Sequence, residues 1–83
     1  MKAKIHITLK NGVLDPQGKA IAHALAGLGF GGIQDVRQGK YIELLLDETD
    51  IASAQSRVQA MCDTLLANTV IENYRVELEP SAS

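Results

Sequence analysis

The chain has 83 residues and a mass of 8.9 kDa, enough for one small domain and too few for a second hydrophobic core. Eight basic and ten acidic residues give a net charge of −2, which excludes the cationic field that gathers nucleic acid or an anionic membrane. A single cysteine excludes an internal disulfide, and the start of the chain lacks an apolar signal core, so we expect a cytoplasmic protein.

The first predicted element is a strand, because apolar and polar side chains alternate from residue 3 to residue 9. Asp15 and Pro16 then predict the start of a helix, since Asp caps free N–H groups and proline is tolerated at the first helical position. This helix has an apolar stripe for packing, made of Ala20, Ile21, Ala24, Leu25 and Leu28. Gly29 is predicted to end it.

A glycine-rich connection then leads to a predicted second strand at 33–37 and a third at 40–47. Thr49 or Asp50 is expected to cap a second helix. The apolar stripe of that helix comprises Ile51, Ala54, Val58, Met61, Cys62 and Leu65. A last strand is predicted at 70–78, and its expected core residues are Val70, Tyr74, Val76 and Leu78.

The resulting order, β-α-β-β-α-β, predicts an α+β fold of the ferredoxin-like kind. Its four-stranded antiparallel sheet has the order 4-1-3-2 and carries both helices on one face. Residues 1–79 are expected to form a single domain, and 80–83 a disordered tail. An apolar fraction of 46%, and Leu45 on the opposite face of the sheet, predict a homo-oligomer that covers this face or an edge strand.

The sequence contains no self-contained catalytic, cofactor-binding or metal-binding constellation. Residues 27–32 match G-x-G-x-x-G, but the match ends a predicted helix, whereas a dinucleotide site requires it to open one. His6 and His23 have no clustered partners, and Cys62 lies on an apolar stripe, which favours a core residue over a nucleophile.

The predicted fold serves several functions, and the residues weigh against two of them. An RNA-recognition domain needs stacking aromatics on its third strand, where Tyr41 stands alone beside Glu43. An acylphosphatase-like hydrolase needs an arginine in the loop after the first strand, and residues 11–18 contain none. An amino-acid-sensing module of the ACT type remains open.

Several stretches of the sequence stand out, at 10–18, 24–25 with 28–30, 36–44, 61–68 and 70–74. In their residues, order and spacing they resemble one family, the PurS subunits of phosphoribosylformylglycinamidine synthase. One departure is Thr69, where the family usually has proline, which puts in question the rigidity of the turn before the last strand.

The resemblance implies a small subunit without catalytic residues, within a ligase of purine biosynthesis. In that ligase a large synthetase subunit uses ATP and Mg to activate formylglycinamide ribonucleotide, and a glutaminase subunit supplies ammonia. The small subunit, a dimer or a dimer of dimers that binds no cofactor itself, joins the two and supports ammonia transfer. Arg37, Lys40 and Tyr74 are the family-motif residues that we expect at a partner interface.

Overall fold

Residues 1–80 of the computed structural model are described here, and they form three strands and two helices. In chain order these elements are β1 (Lys2–Leu9), α1 (Pro16–Gly27), β2 (Gly39–Leu45), α2 (Ile51–Met61) and β3 (Glu72–Glu79). A short π-helical segment, Cys62–Leu66, continues α2. Neither helix within the described residues has the length and apolar character needed to cross a membrane. Of the predicted tail 80–83, positions 81–83 lie outside the described residues.

The sheet has the order β2-β1-β3, and both pairings are antiparallel. The alternation predicted for β1 is confirmed, since Ala3, Ile5 and Ile7 are all buried. The register aligns Ile5 with Ile42 on β2 and with Val76 on β3, so apolar side chains meet across all three strands. This inner face of the sheet carries the hydrophobic core.

Helix α2 packs on the inner face, mainly towards β3. Asp50 caps it as predicted, because its carboxylate Oδ2 accepts a hydrogen bond of 2.9 Å from the Ser53 backbone N–H. Ala54, Val58 and Cys62 of the predicted stripe are buried, but Ile51, the first residue of the helix, is 54% exposed, so its predicted place on the packed face is wrong. The prediction for Leu65 is wrong. The π-helical turn, closed by the Ala67 N–H on the Cys62 carbonyl at 3.0 Å, leaves Leu65 82% exposed.

The last strand begins later than predicted. Val70 was expected in the core but is 80% exposed, because residues 68–71 form a turn closed by the Ile71 N–H on the Asn68 carbonyl at 3.0 Å. The rest of the prediction for this strand is confirmed: Tyr74, Val76 and Leu78 pack against the core.

Helix α1 does not lie on the sheet, so the prediction of two helices on one face is wrong for this chain. Of the twelve described residues of α1, Gly18 alone is buried, and the predicted stripe residues Ile21 and Leu28 are 40% and 74% exposed. We call residues 10–38 the arm, since they extend from the sheet between Leu9 and Gly39. The Cα radius of gyration is 16.3 Å, against about 12 Å for a compact domain of this length.

The predicted second strand is also absent, so the described residues form a three-stranded sheet and not a four-stranded one. The reason is visible in the backbone hydrogen bonds of the returning half of the arm. The Val36 N–H donates to the Asp35 carboxylate at 3.0 Å, and the Gln38 N–H donates to the Asp15 carboxylate at 2.9 Å. Carboxylates thus satisfy donors that a neighbouring strand would have used. The coarser prediction, an α+β chain with an antiparallel sheet, is confirmed.

Candidate functional site

The predicted interface residues lie at one end of the sheet, where β1 ends and where β2 and β3 begin. Lys40 and Tyr74 both pair in register with Ile7, so the three form one row across the inner face of the sheet. Arg37 is two residues before β2. We call this region the arm end of the sheet, because the two roots of the arm meet here. The roots are the two ends of residues 10–38, where the arm leaves and rejoins the sheet.

Arg37 joins the arm to the sheet. Its guanidinium donates from Nη1 to the Asn11 side-chain oxygen at 3.1 Å and from Nη2 to the Leu9 backbone carbonyl. The outgoing and returning ends of the arm are therefore bonded to each other and to the end of β1. This gives Arg37 a structural task that the sequence did not reveal.

Asp15 makes the second link between the two ends of the arm. Its Oδ1 accepts from the Gly18 N–H and its Oδ2 from the Gln38 N–H, both at 2.9 Å. These bonds, that from Gln38 first, hold the pKa of the Asp15 carboxyl below its ordinary value. The predicted N-cap is confirmed. The bond to Gln38 was missed, because no local pattern indicates a partner 23 residues away.

Lys40 has 62% of its side chain exposed. Its Nζ lies 3.5 Å from a carboxylate oxygen of Glu72, whose other oxygen accepts from the Asn68 N–H at 2.7 Å. The Lys40 ammonium is thus open to solvent, whereas the Glu72 carboxylate is only 11% exposed and is held by the Asn68 N–H.

Tyr74 is half-buried and its hydroxyl is already engaged. The hydroxyl donates to the Asp63 carboxylate at 2.9 Å, which ties β3 to the π-helical segment. This bond raises the pKa of Tyr74 above its ordinary value, because the neighbouring carboxylate disfavours a phenolate. The bond to Asp63 therefore holds the Tyr74 side chain in a fixed position on the surface near Lys40.

A shallow cavity of about 180 Å³ opens at the arm end, with Asp15, Lys40 and Glu72 among its lining residues. It offers one ammonium and two carboxylates, with backbone and amide groups around them. Those groups suit polar contacts with another protein, and the lining contains no nucleophile paired with a base.

The G-x-G-x-x-G match ends α1, as predicted. Gly29 adopts a φ of 93°, its N–H donates to the Ala26 carbonyl at 3.1 Å, and the Phe30 N–H donates to the Leu25 carbonyl at 3.0 Å. This pair of bonds is a Schellman motif, the usual glycine-dependent end of a helix. The carbonyl end of the helix faces this loop, so its dipole repels a phosphate.

The other candidate groups have structural positions. Cys62 is fully buried, and burial raises the pKa of its thiol, which makes it an inert core residue as predicted. His6 packs against Tyr41 on the outer face of the sheet, with ring centroids 5.0 Å apart and the ring planes tilted by 44°. Among residues 1–80, no group of three or more His, Cys, Asp or Glu side chains is placed to hold a metal ion.

Comparison with known proteins gives one consistent result. Residues 2–80 match the family model described as PurS, phosphoribosylformylglycinamidine (FGAM) synthase. The chain is 50% identical over 78 residues to the phosphoribosylformylglycinamidine synthase subunit PurS of Bacillus subtilis, covering 94% of this chain and 92% of that protein. The corresponding Synechocystis protein is 52% identical over 75 residues, covering 90% of this chain and 75% of that protein.

Solved structures agree with this result. The crystal structure of PurS from Methanocaldococcus jannaschii aligns with a TM-score of 0.87 at 39% identity and covers 96% of each chain. A chain in the structure of PurLQS from Thermotoga maritima aligns with a TM-score of 0.84 at 30% identity, over 92% of this chain and 93% of that one.

Proposed function

The chain belongs to the PurS family of phosphoribosylformylglycinamidine synthase subunits, and from this membership we propose that it is the small subunit of that glutamine-dependent ligase in purine biosynthesis. The observation that carries the proposal is the family match over residues 2–80. A relative in a PurLQS structure supports a place within a multi-subunit complex. The ACT-like sensor is not supported, since the relatives named above are synthase subunits.

In this proposal residues 1–79 form one cytoplasmic domain that joins a synthetase subunit to a glutaminase subunit. Catalysis, ATP and Mg belong to the partners. The physical need for such a joint lies in ammonia itself, which is protonated or lost once it reaches bulk water. A small subunit that keeps two active sites docked therefore couples glutamine hydrolysis to amidine formation without touching either substrate.

The arm end of the sheet is our proposed docking surface for a partner subunit. Lys40 makes the contact, because 62% of its side chain is exposed and its ammonium lies as far as 3.5 Å from its Glu72 partner. Arg37 and Tyr74 act on this surface as positioning residues. Arg37 fixes the arm beside Lys40, and Tyr74 fixes the neighbouring row of the sheet through Asp63.

A titration tests the coupling role. The small subunit is added to purified synthetase and glutaminase subunits, while glutamate, ADP and the amidine product are followed together. We expect glutamine-dependent product to rise until the small subunit is stoichiometric, with glutamate and product then formed in equal amounts. Maximal glutamine-dependent product formation before any small subunit is added would contradict the proposal.

A matched pair of variants tests the docking surface. Lys40→Ala should reduce co-purification with the partner subunits, while Lys19→Ala, an equal loss of charge on the exposed side of α1, should leave it unchanged. The difference in recovery between Lys40→Ala and the wild type should become smaller as the salt concentration rises, because screening weakens the wild-type contact. Equal recovery of both variants at every salt concentration would show that the arm end is not the docking surface.

A further inference from the structure

Asn11 and Gly12 form an exposed pair at the outgoing root of the arm. They are the two central residues of a turn that is closed by the Val13 N–H on the Lys10 carbonyl at 3.2 Å. Gly12 has a φ of 87°, as the third residue of a type II turn requires, and a Cβ at this position would meet open space. The proposed subunit function gives neither residue of the pair a chemical role.

An asparagine that precedes a glycine can react with its own main chain. The Gly12 nitrogen, once it has lost its proton to water or hydroxide, attacks the Asn11 side-chain carbon Cγ in an intramolecular step. A bond forms between this nitrogen and Cγ, the bond from Cγ to Nδ2 breaks, and Nδ2 takes a proton from water and leaves as ammonia. Water then opens the resulting succinimide ring at either carbonyl, which leaves aspartate or isoaspartate in place of Asn11.

The turn leaves the Gly12 nitrogen open to this reaction. Within residues 1–80, no backbone hydrogen bond of the turn uses the Gly12 N–H. Glycine also has no side chain that would crowd the attacking nitrogen or resist the main-chain rotation that ring closure requires. The bond that closes the turn, at 3.2 Å, lies at the long end of the normal range, so the turn opens at little cost.

The other two asparagines of the chain are poorly placed for the same reaction. Asn68 precedes Thr69, whose β-branched side chain crowds the main-chain nitrogen, and the Asn68 Oδ1 accepts from the Val70 N–H at 3.2 Å. Asn73 lies within β3, where pairing with β1 keeps the main chain extended and opposes the rotation. These two residues therefore serve as internal references for Asn11.

Arg37 restrains the Asn11 side chain in the folded protein. Its Nη1 donates to the Asn11 Oδ1 at 3.1 Å, while its Nη2 donates to the Leu9 carbonyl. Ring closure turns Cγ and its oxygen towards the Gly12 nitrogen, so the Asn11 side chain must first leave the guanidinium. The bond to Arg37 therefore lowers the population of the reactive conformation without abolishing it.

We propose that Asn11 is a site of spontaneous modification, where attack by the Gly12 nitrogen converts asparagine to aspartate or isoaspartate and the bond to Arg37 slows the conversion. Either product adds one negative charge to the formal net charge of −2. Aspartate keeps an acceptor for Arg37, whereas isoaspartate carries the main chain through the former side chain and so lengthens the outgoing root. Any consequence for partner binding rests on the proposed docking surface at Lys40, but the reaction depends on this chain alone.

Timed incubation of the full chain at neutral and mildly alkaline pH tests the site. Samples are digested at mildly acidic pH, and the peptides are separated and weighed. The peptide that contains residue 11 should split into two products, each heavier by about 1 Da, while the peptides with Asn68 and Asn73 stay unchanged. Conversion should accelerate with hydroxide concentration, because the Gly12 nitrogen attacks after losing its proton. Asn11 that stays intact in the folded chain while the urea-unfolded chain is converted would overturn the proposal.

Two arginine variants test the restraint. Arg37→Ala should raise the rate of Asn11 conversion by about 3- to 10-fold, the range that corresponds to the net contribution of one hydrogen bond. Arg75→Ala is the matched control, because it removes an equal charge from an exposed side chain of β3 that pairs with Glu77. Circular dichroism checks that both variants are folded. Should Arg37→Ala unfold, Arg37→Lys, which loses the forked bond to Asn11 and Leu9, takes its place. Equal rates for the folded Arg37 variant and the wild type would overturn the restraint.

Discussion

The two helices of this chain have similar sequence patterns, but α2 packs on the sheet and α1 does not. Both begin at an aspartate cap and carry an apolar stripe, but α2 buries Ala54 and Val58 whereas the stripe of α1 stays exposed. The difference arises at their roots: α2 follows β2 onto the inner face, while Asp15 and Arg37 direct α1 away from it. An amphipathic pattern identifies an apolar face, but it does not show that the sheet of the same chain covers it.

The largest effect that we expect lies in the body of the fold. Ile5→Ala should lower the free energy of unfolding by about 2–5 kcal/mol, because Ile5 is fully buried at the centre of the sheet. Leu28→Ala on the arm should change the same quantity by less than about 0.5 kcal/mol at concentrations where copies are separate. Urea denaturation over a range of protein concentrations measures both. Equal losses at every concentration would mean that the arm packs on its own sheet.

Two glycines of α1 sharpen the contrast between the root of the arm and its tip. A Cβ at Gly18 would clash with the Val36 carbonyl oxygen and the Asp15 carboxylate, so Gly18→Ala should cost about 1–3 kcal/mol. At Gly27 a Cβ meets open space, and Gly27→Ala should instead stabilise the chain by roughly 0.5–1 kcal/mol. If Gly18→Ala and Gly27→Ala shift the denaturation midpoint in the same direction, the root of the arm is not rigid.

Asp15→Asn separates the helix cap from the link across the arm. Asparagine still accepts from the Gly18 N–H, but its NH₂ group cannot accept from Gln38, so amide exchange at Gln38 should accelerate. Asp50→Asn, where one carboxylate oxygen makes the cap, is the matched control. Protected exchange at Gln38 in the Asp15 variant would show that the link is dispensable.

The same carboxylate predicts the response of the arm to acid. Its pKa is lowered in the folded chain from an ordinary value of 3.8, so its stabilisation is complete above that pH and disappears as pH falls through the folded pKa. Wild-type Gln38 should therefore lose protection in this acid range. The Asp15→Asn chain should show no such step.

The smallest effect concerns the turn before β3. Thr69 is the second residue of the turn closed between Asn68 and Ile71, a position that favours proline. Thr69→Pro should raise the free energy of unfolding by about 0.4–1 kcal/mol by restricting the unfolded chain, with Thr69→Ala as a near-neutral control. A lower denaturation midpoint for the proline variant would mean that the turn requires a conformation closed to it.

Much of the fold was predictable because it depends on short-range patterns. The alternation of β1, the aspartate caps and the glycine at the end of α1 each reflect residues within a few positions of one another. The predictions for Leu65 and Val70 were wrong because a π-helical turn and a four-residue turn changed the phase of the pattern. Neither turn has a strong local signature.

For the candidate site, the family resemblance suggested Arg37, Lys40 and Tyr74, but the sequence did not show which contacts they make in the fold. Arg37, Lys40 and Tyr74 do lie at one end of the sheet, yet Arg37 bonds Asn11 from 26 residues away and Tyr74 bonds Asp63. The tertiary structure alone decided that residues 33–37 leave the sheet and that α1 projects outward. Those outcomes depend on side-chain bonds between distant residues, and local periodicity carries no information about such bonds.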